Sequence, residues 1–348
     1  MRHSIIPLFI PHYGCPYRCV FCNQVRITGV ETPVTASDVA AQIDRYLEIC
    51  KEPRDWEAAF YGGSFTALPL SVMDELLTPA YEALAAGRIS AIRLSTRPDC
   101  IDRKRLSLLK ARGVQTVELG VQSLDDDVLS AAGRGHTASD VAAAVSLLRE
   151  YGFTVGLQFM QGLPGETMAS LRRTARMGAR LLPDFIRLYP VLVLQDTALC
   201  RMYEAGAYRP LTLAEAVFRC AFLKRYYARH GISVIRTGLQ ATEEFDSGES
   251  LVAGPYHPAM GELCDQYIAR HELVRAVRHL LPASEIRILC ASRDRSKIMG
   301  HRRSTWKYLE TETGAALSIE ETADVPVGTV RILAGGRETS CDIGAGRR

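Results

Sequence analysis

From its start to about residue 240 the chain repeats one unit: a short run of β-branched and aliphatic residues, a turn, then a longer stretch with apolar residues every three or four positions. The runs Ile5–Ile10, Ala58–Tyr61, Ala91–Thr96, Thr116–Val121, Thr154–Met160 and Phe185–Val191 read as strands. Helices are predicted near 37–50, 71–86, 103–111, 139–151, 167–181 and 212–230. In the first of these Val39, Ile43, Leu47 and Cys50 share a face, and Thr35 and Asp38 are spaced to cap its start. Strand alternating with helix six times predicts a parallel sheet with helices outside it, either a (βα)6 barrel or a doubly wound sheet.

Alternation inside the strands separates the two, because successive side chains point to opposite faces. One face reads Ile92/Leu94, Val117/Leu119/Val121, Val155/Leu157/Phe159 and Ile186/Leu188. The other reads Arg93/Ser95/Arg97, Glu118/Gly120/Gln122, Gly156/Gln158/Met160 and Arg187/Tyr189. A doubly wound sheet packs helices on both faces and would bury those charges. The expectation is therefore an α/β fold of partial TIM-like barrel type with a polar lumen. The alternative for Glu118 is a buried ion pair with Arg93, Arg97 or Arg187 that carries no chemistry.

Beyond Gly238 the pattern changes. Residues 241–260 are rich in Gly, Pro, Ser and acids and read as a linker or flap, and 261–348 as a small α+β domain ending in a polar Gly/Arg tail. The expected division is thus a barrel over 1–240, the linker, and the C-terminal domain. With 47% hydrophobic residues in 348, the chain has material for a full core. Forty-two basic against 39 acidic residues leave +3, so any attraction for nucleic acid must be local. The apolar run at 5–11 is too short to span a membrane and lacks a cleavage site, which predicts a cytoplasmic protein whose ten cysteines are thiols or ligands.

Three of those cysteines are clustered: Cys15, Cys19 and Cys22 form Cys-x3-Cys-x2-Cys in the loop after the first strand. Three thiolates in one tight loop can hold three irons of a [4Fe–4S] cube and leave the fourth iron open. Structural zinc wants four ligands; no fourth cysteine or histidine has the usual spacing, although His12 is near. Zinc or three incidental thiols are the alternatives.

This motif, with the aromatic Phe21 before its last cysteine, resembles that of the radical S-adenosylmethionine (SAM) superfamily. The resemblance implies a partial (βα)6 barrel, a [4Fe–4S] cluster on Cys15, Cys19 and Cys22, SAM chelated to the open iron, and an external low-potential electron donor. It implies cofactor contacts at Phe21, at Gly62-Gly63-Ser64, where Ser64 stands in place of the family's Glu, and at Gln122, Gln158 and Gly162, with Glu118 and Arg187 in the catalytic lumen. Ser95-Thr96-Arg97-Pro98-Asp99, the run 118–127, Arg134-Gly135-His136-Thr137, the LPGET at 163–167 and the run 188–193 resemble, in order, the radical SAM half of Elongator's catalytic subunit. That likeness, over about residues 5–210, implies modification of tRNA. No acetyl-CoA pyrophosphate loop is found after residue 240. Oxygen-independent coproporphyrinogen III oxidase shares the cysteine motif and GVQS run, so a radical SAM enzyme of small-molecule or porphyrin metabolism is one alternative. A non-catalytic iron–sulfur RNA-binding protein is another.

In the C-terminal domain, a strand at 285–290, a short helix, the turn Gly300-His301-Arg302-Arg303, a helix from Ser304 and strands at 316–320 and 329–333 are similar to the core of a KH domain, with Arg303 in place of its second glycine. Arg293, Lys297, Arg302, Arg303 and Lys307, with Trp306 and Tyr308 interleaved, are the candidate RNA contacts. A solvated basic surface is the plainer alternative.

Overall fold

Six parallel strands, β1 (Arg2–Ile10), β2 (Arg54–Gly62), β3 (Ala91–Thr96), β4 (Thr116–Gln122), β5 (Thr154–Gln161) and β6 (Phe185–Pro190), lie side by side in chain order. This computed structural model describes residues 2–10, 15, 17–23, 33–49, 54–239 and 250–344. It divides into two units, residues 1–211 with 241–255 and residues 212–240 with 256–348. In the first unit the crossovers carry helices α1 (Ala36–Ile49), α2 (Leu70–Ala85), α3 (Arg103–Ala111), α4 (Asp126–Ala131), α5 (Ala138–Glu150) and α6 (Met168–Arg180). Chain-order strands with helices on one side are the arrangement of a partial TIM-like barrel.

The elements start where their sequence signals stand. At α1 the Thr35 amide and hydroxyl donate to Asp38 Oδ2 at 2.8 and 2.7 Å, and Asp38 N donates back to Thr35 Oγ1 at 3.3 Å. Similar reciprocal caps open α5 at Thr137/Asp140 and α6 at Thr167/Ser170. Cys50, expected on the inner face of the first helix, lies outside the described residues. The expected apolar strand face is buried throughout: its ten residues, from Ile92 to Leu188, are each at most 1% exposed. β2 begins four residues before its apolar run because Arg54–Glu57 pair with β1 in register, a backbone contact that polar side chains do not announce.

After β6 come β7 (Val193–Leu194) and α7 (Ala198–Glu204); β7 pairs with β9 (Leu251–Ala253) in the same unit. The second unit contains α8 (Leu213–Arg229), β8 (Ser233–Thr237), α9 (Met260–Arg278), β10 (Glu285–Cys290), α10 (Arg295–Met299), α11 (Ser304–Thr313), β11 (Ala316–Glu321), β12 (Thr329–Ala334) and β13 (Arg337–Asp342). Its sheet has the order β11-β10-β12-β13, with β10 parallel to β11 and antiparallel to β12. Its core gathers Leu273, Val277, Ile286, Ile288, Trp306 and Ile332. The expected polar tail is in part a strand, since β13 pairs with β12 across Gly335-Gly336, both at positive φ (54° and 76°). A Gly-Gly pair between two extended runs is a hairpin signal that outweighs the polar composition. Residues 241–249 of the expected linker lie outside the described residues; among those described, no helix is long and apolar enough to cross a membrane.

One contact on the polar face is testable. A Cβ on Gly156 would stand 2.3 Å from the Phe185 ring of β6. Gly156→Ala is expected to destabilise by about 1–3 kcal/mol, the usual cost of overpacking. Adding Phe185→Leu should recover at least 0.5 kcal/mol, the lower range of coupling for touching residues, in a denaturant double-mutant cycle.

Candidate active site at the cysteine loop and the strand ends

The loop carrying Cys15, Cys19 and Cys22 follows the C-terminal end of β1, the end at which parallel barrels place their chemistry. His12 and Gly14 lie outside the described residues. Two backbone bonds pin the loop: Val20 N donates to Ala132 O at 3.1 Å, and Leu199 N donates to Val20 O at 2.7 Å. Val20 and Phe21 pack on the apolar cluster of Val128, Ala132, Leu163, Val191 and Leu199. The segment 133–136 lies directly against the loop. A Cβ at Gly135 (φ +69°) would enter the Tyr17 ring at 2.5 Å, and the Arg97 guanidinium lies 5.0 Å from that ring's centroid.

Each of two thiols has polar neighbours. The Cys15 thiol donates to Ser64 Oγ at 3.2 Å, and Ser64 N donates to Cys15 Sγ at 3.4 Å. Gly63 N donates to Ile10 O at 2.9 Å, which ties the Gly62-Gly63-Ser64 turn to the end of β1. Arg134 Nη1 reaches Cys19 Sγ at 3.2 Å and Arg97 Nη1 reaches it at 3.8 Å. Arg97 is held by a fork on Asp99 at 2.9 and 3.1 Å and donates to Arg134 O. Arg134, 5% exposed, donates to Cys19 Sγ and Gly120 O, and among the described residues no carboxylate forms an ion pair with it. Burial pushes its guanidinium below the ordinary range, with Cys19 acting against that push.

The polar face forms one connected network. Glu118 Oε1 accepts from Arg93 Nη1 at 3.0 Å and Arg187 Nη2 at 3.2 Å, while its Oε2 lies 2.7 Å from Arg187 Nε. Arg93 also pairs with Glu57 of β2 at 2.5 Å, and Arg187 donates to Tyr61 and Tyr189, both at 3.3 Å. Burial and the Glu118 charge push the Tyr61 hydroxyl up to about 12, and the neighbouring tyrosines and Glu118 hold Arg187 above its ordinary range against burial. Of the three candidate partners for Glu118, Arg93 and Arg187 make the pairs and Arg97 turns to the cysteine loop. Gln158 Nε2 donates to Gln122 Oε1 at 3.1 Å. Gln122 takes φ +68° at an irregularity where β4 shifts register against β5, a conformation costly for a residue with a side chain. Gly162 (φ +92°) accepts from Tyr208 Oη at 2.6 Å, and its amide donates to Glu166.

The structure thus sets Ser64 against Cys15 and two guanidinia against Cys19, and separately joins Glu118 to Arg187 and Gln122 to Gln158. Arg134 and Tyr17 were missed as site residues: their motif was legible, but no periodicity marks a loop residue that reaches a thiol. In the second unit Arg293, Arg302, Arg303 and Lys307 are exposed, whereas Lys297 pairs with Asp294 at 3.1 Å and Trp306 is core, at 4% exposed.

Residues 9–178 match the radical SAM superfamily and residues 183–270 match the radical SAM C-terminal domain. The chain belongs to the radical SAM superfamily. A tRNA uridine(34) acetyltransferase of Dehalococcoides mccartyi is 30% identical over 230 residues, covering 56% of this chain and 50% of that protein. Human Elongator complex protein 3 is 29% identical over 268 residues, covering 62% and 48%. The solved structure of archaeal Methanocaldococcus infernus Elp3 with an N-terminal deletion shares the fold, with a TM-score of 0.61 at 22% identity over 78% of this chain and 64% of that one. The chain spans about half the length of the curated relatives it matches. Membership makes it an enzyme of the class whose cofactors are a [4Fe–4S] cluster and SAM.

The donor set fits such a cluster in chemistry. Three thiolates around an iron–sulfur cube carry net negative charge, and the buried Arg134 cation, lacking a carboxylate, faces one of those sulfurs. Among the described residues no three His, Cys, Asp or Glu side chains are gathered to hold a metal ion; Cys15 and Cys19 make the local bonds given above.

Gly135→Ala is expected to displace Tyr17 and loosen the loop, lowering iron bound per chain after anaerobic reconstitution while the far-ultraviolet spectrum is unchanged. His136 offers a pH test. It is 4% exposed, its Nε2 lies 3.2 Å from Val121 O, and burial together with Arg134 and Arg97 pushes its pKa from 6.5 to about 4. A folded-state pKa below the unfolded one gives stability that is present above about 6.5 and lost as pH falls toward 4. Denaturant midpoints measured over that window should fall, and His136→Gln should flatten the fall.

Proposed function

We propose that this chain uses a [4Fe–4S] cluster on Cys15, Cys19 and Cys22 to cleave SAM reductively, and that its substrate is RNA, most simply tRNA. The observation that carries the reading is the convergence of the cysteine loop, the Gly62-Gly63-Ser64 turn and two buried guanidinia at the strand ends. When bound, the cluster supplies the electron that converts SAM to a 5'-deoxyadenosyl radical able to abstract hydrogen. The chain's own residues bind and orient. The Gly62-Gly63-Ser64 turn, Phe21 and Gly162 would hold SAM, with Gln122 and Gln158, whose amides are paired, as further contacts. Arg93 and Arg187 occupy both oxygens of Glu118, which would fix that side chain in the lumen wall beside the substrate space. An external low-potential donor would supply the electron.

The RNA half rests on the tRNA-modifying names of the relatives and on the exposed basic turn of the second unit. In this reading residues 1–240 form the catalytic domain, 241–260 a connecting flap, and 261–348 the RNA-recruiting domain.

Anaerobically reconstituted protein should hold about four irons per chain, the stoichiometry of one cube. The triple Cys→Ala variant should hold almost none, and stoichiometric zinc without iron would sink the cluster assignment. Gln122→Ala should keep its iron yet release less 5'-deoxyadenosine from SAM under reducing conditions. Total tRNA from a deletion strain should lack a modified nucleoside found in its parent. Identical nucleosides, with SAM cleavage indifferent to added tRNA, would favour a small-molecule substrate.

A further inference from the structure

The second unit carries an aromatic and cationic surface that the basic turn alone does not describe. On α9, Arg270 lies 5.5 Å from the Tyr267 ring centroid and 5.6 Å from that of Tyr308 on α11. Phe218 of α8, 43% exposed, meets Tyr267 edge-on at 6.1 Å, so the row runs Phe218, Tyr267, Arg270, Tyr308. Tyr308 is 41% exposed and its hydroxyl also bonds Glu312, which is held in turn by Arg278 at 2.8 Å. The ring is thus held by Arg270 and through its hydroxyl, while the residue stays partly open to water.

The basic turn is tied to this row. His301 N donates to Gln266 Oε1 at 3.0 Å, one residue before Tyr267. Arg302 and Arg303 follow at φ +50° and +62°, and Lys307 precedes Tyr308. Arg302, Arg303 and Lys307 are exposed without a carboxylate partner among the described residues, and the acids nearest in sequence are Glu310 and the paired Glu312. Cations that have no acid to satisfy them, next in sequence to a partly exposed ring packed by a guanidinium, suit a ligand that alternates phosphate with flat bases. An apolar protein partner would leave the three cations unmatched.

We propose that Tyr308, braced by Arg270 and Tyr267, stacks an unpaired base of a single-stranded RNA segment whose flanking phosphates lie on Arg302, Arg303 and Lys307. The inference rests on the RNA reading above and adds to it the groups that would read the base.

The test uses the full chain and a fluorescein-labelled RNA hairpin with an open loop, with no cluster or SAM required. Stacking is worth about 1–3 kcal/mol per base, so Tyr308→Ala should weaken binding about 5- to 150-fold with the salt slope unchanged. Tyr308→Phe, which keeps the ring, should bind like the parent. Arg302→Ala/Arg303→Ala should weaken binding and flatten the salt slope by about 0.7 per phosphate lost. A 4-thiouridine placed in the loop should crosslink to Tyr308 or Tyr267, a readout independent of any fold change in the variants. If the parent binds RNA but Tyr308→Ala binds equally and no adduct maps to α9 or α11, this surface is wrong and the RNA reading survives. If the parent binds no RNA, both fail.

Discussion

A carboxylate buried at 4% exposure on the inner face of a sheet must find cations on that same face, and Glu118 organises the lumen on those terms. Left unpaired it would cost several kcal/mol, and breaking a buried pair by removing one partner costs about 3–5 kcal/mol. Its cations come from strands on either side, Arg93 on β3 and Arg187 on β6, two positions away across β5. Adjacent strands are about 4.8 Å apart, so an arginine two strands away must reach along a curved face. Each arginine then takes a further partner, Glu57 for Arg93 and Tyr61 with Tyr189 for Arg187. The network holds β2, β3, β4 and β6 in one register, since a one-residue slip of any strand would turn its member into the helix layer.

The cysteine loop is coupled to that lumen through β4. Arg134 donates both to Cys19 Sγ and to Gly120 O, and a Cβ on Gly120 would stand 3.0 Å from Gln122 Nε2 and 3.6 Å from Arg134 Nη2. The missing side chain at Gly120 therefore lets the guanidinium and the Gln122 amide approach one strand end together. Gln122 in turn adopts a left-handed backbone conformation to meet Gln158. Backbone strain of about 1–3 kcal/mol persists only where its surroundings fix it, and here the β4–β5 irregularity and the Arg134 contact do so.

The sequence revealed the periodic features of this arrangement and hid the rest. Alternation in β3 to β6 separated a lumen face from a helix face, and the ion pairs confirm the separation, because charge at period two has few solutions in a parallel sheet. The partner of Glu118 was legible only as a set of three arginines. Which of them turned away depended on Asp99 and on the loop around Arg134, contacts far apart in sequence or fixed by turn geometry. The strand Arg337–Asp342 was hidden for the opposite reason: its pairing is backbone-driven and its side chains carry almost no apolar pattern. Trp306, interleaved with the basic residues in the sequence, is buried in the core, which leaves Tyr308 as the exposed ring of that helix.

The turn at 300–303 carries backbone strain at residues that bear charge. Gly300 (φ +71°) cannot be replaced cheaply, since a Cβ there would stand 2.6 Å from Thr305 Oγ1 and 2.8 Å from Thr305 N. Arg303 takes φ +62°, the left-handed conformation that glycine adopts freely. That conformation costs an L-residue roughly 1–2 kcal/mol, and Arg302 beside it bears the same cost. The bond from Arg303 N to Gly300 O at 3.0 Å, together with the anchor of His301 N on α9, closes the turn against that strain. A glycine would relieve it and remove a cation. Two consecutive left-handed arginines at the start of a helix therefore place two charges at the cost of backbone comfort, and the gain they offer is in what the turn can attract.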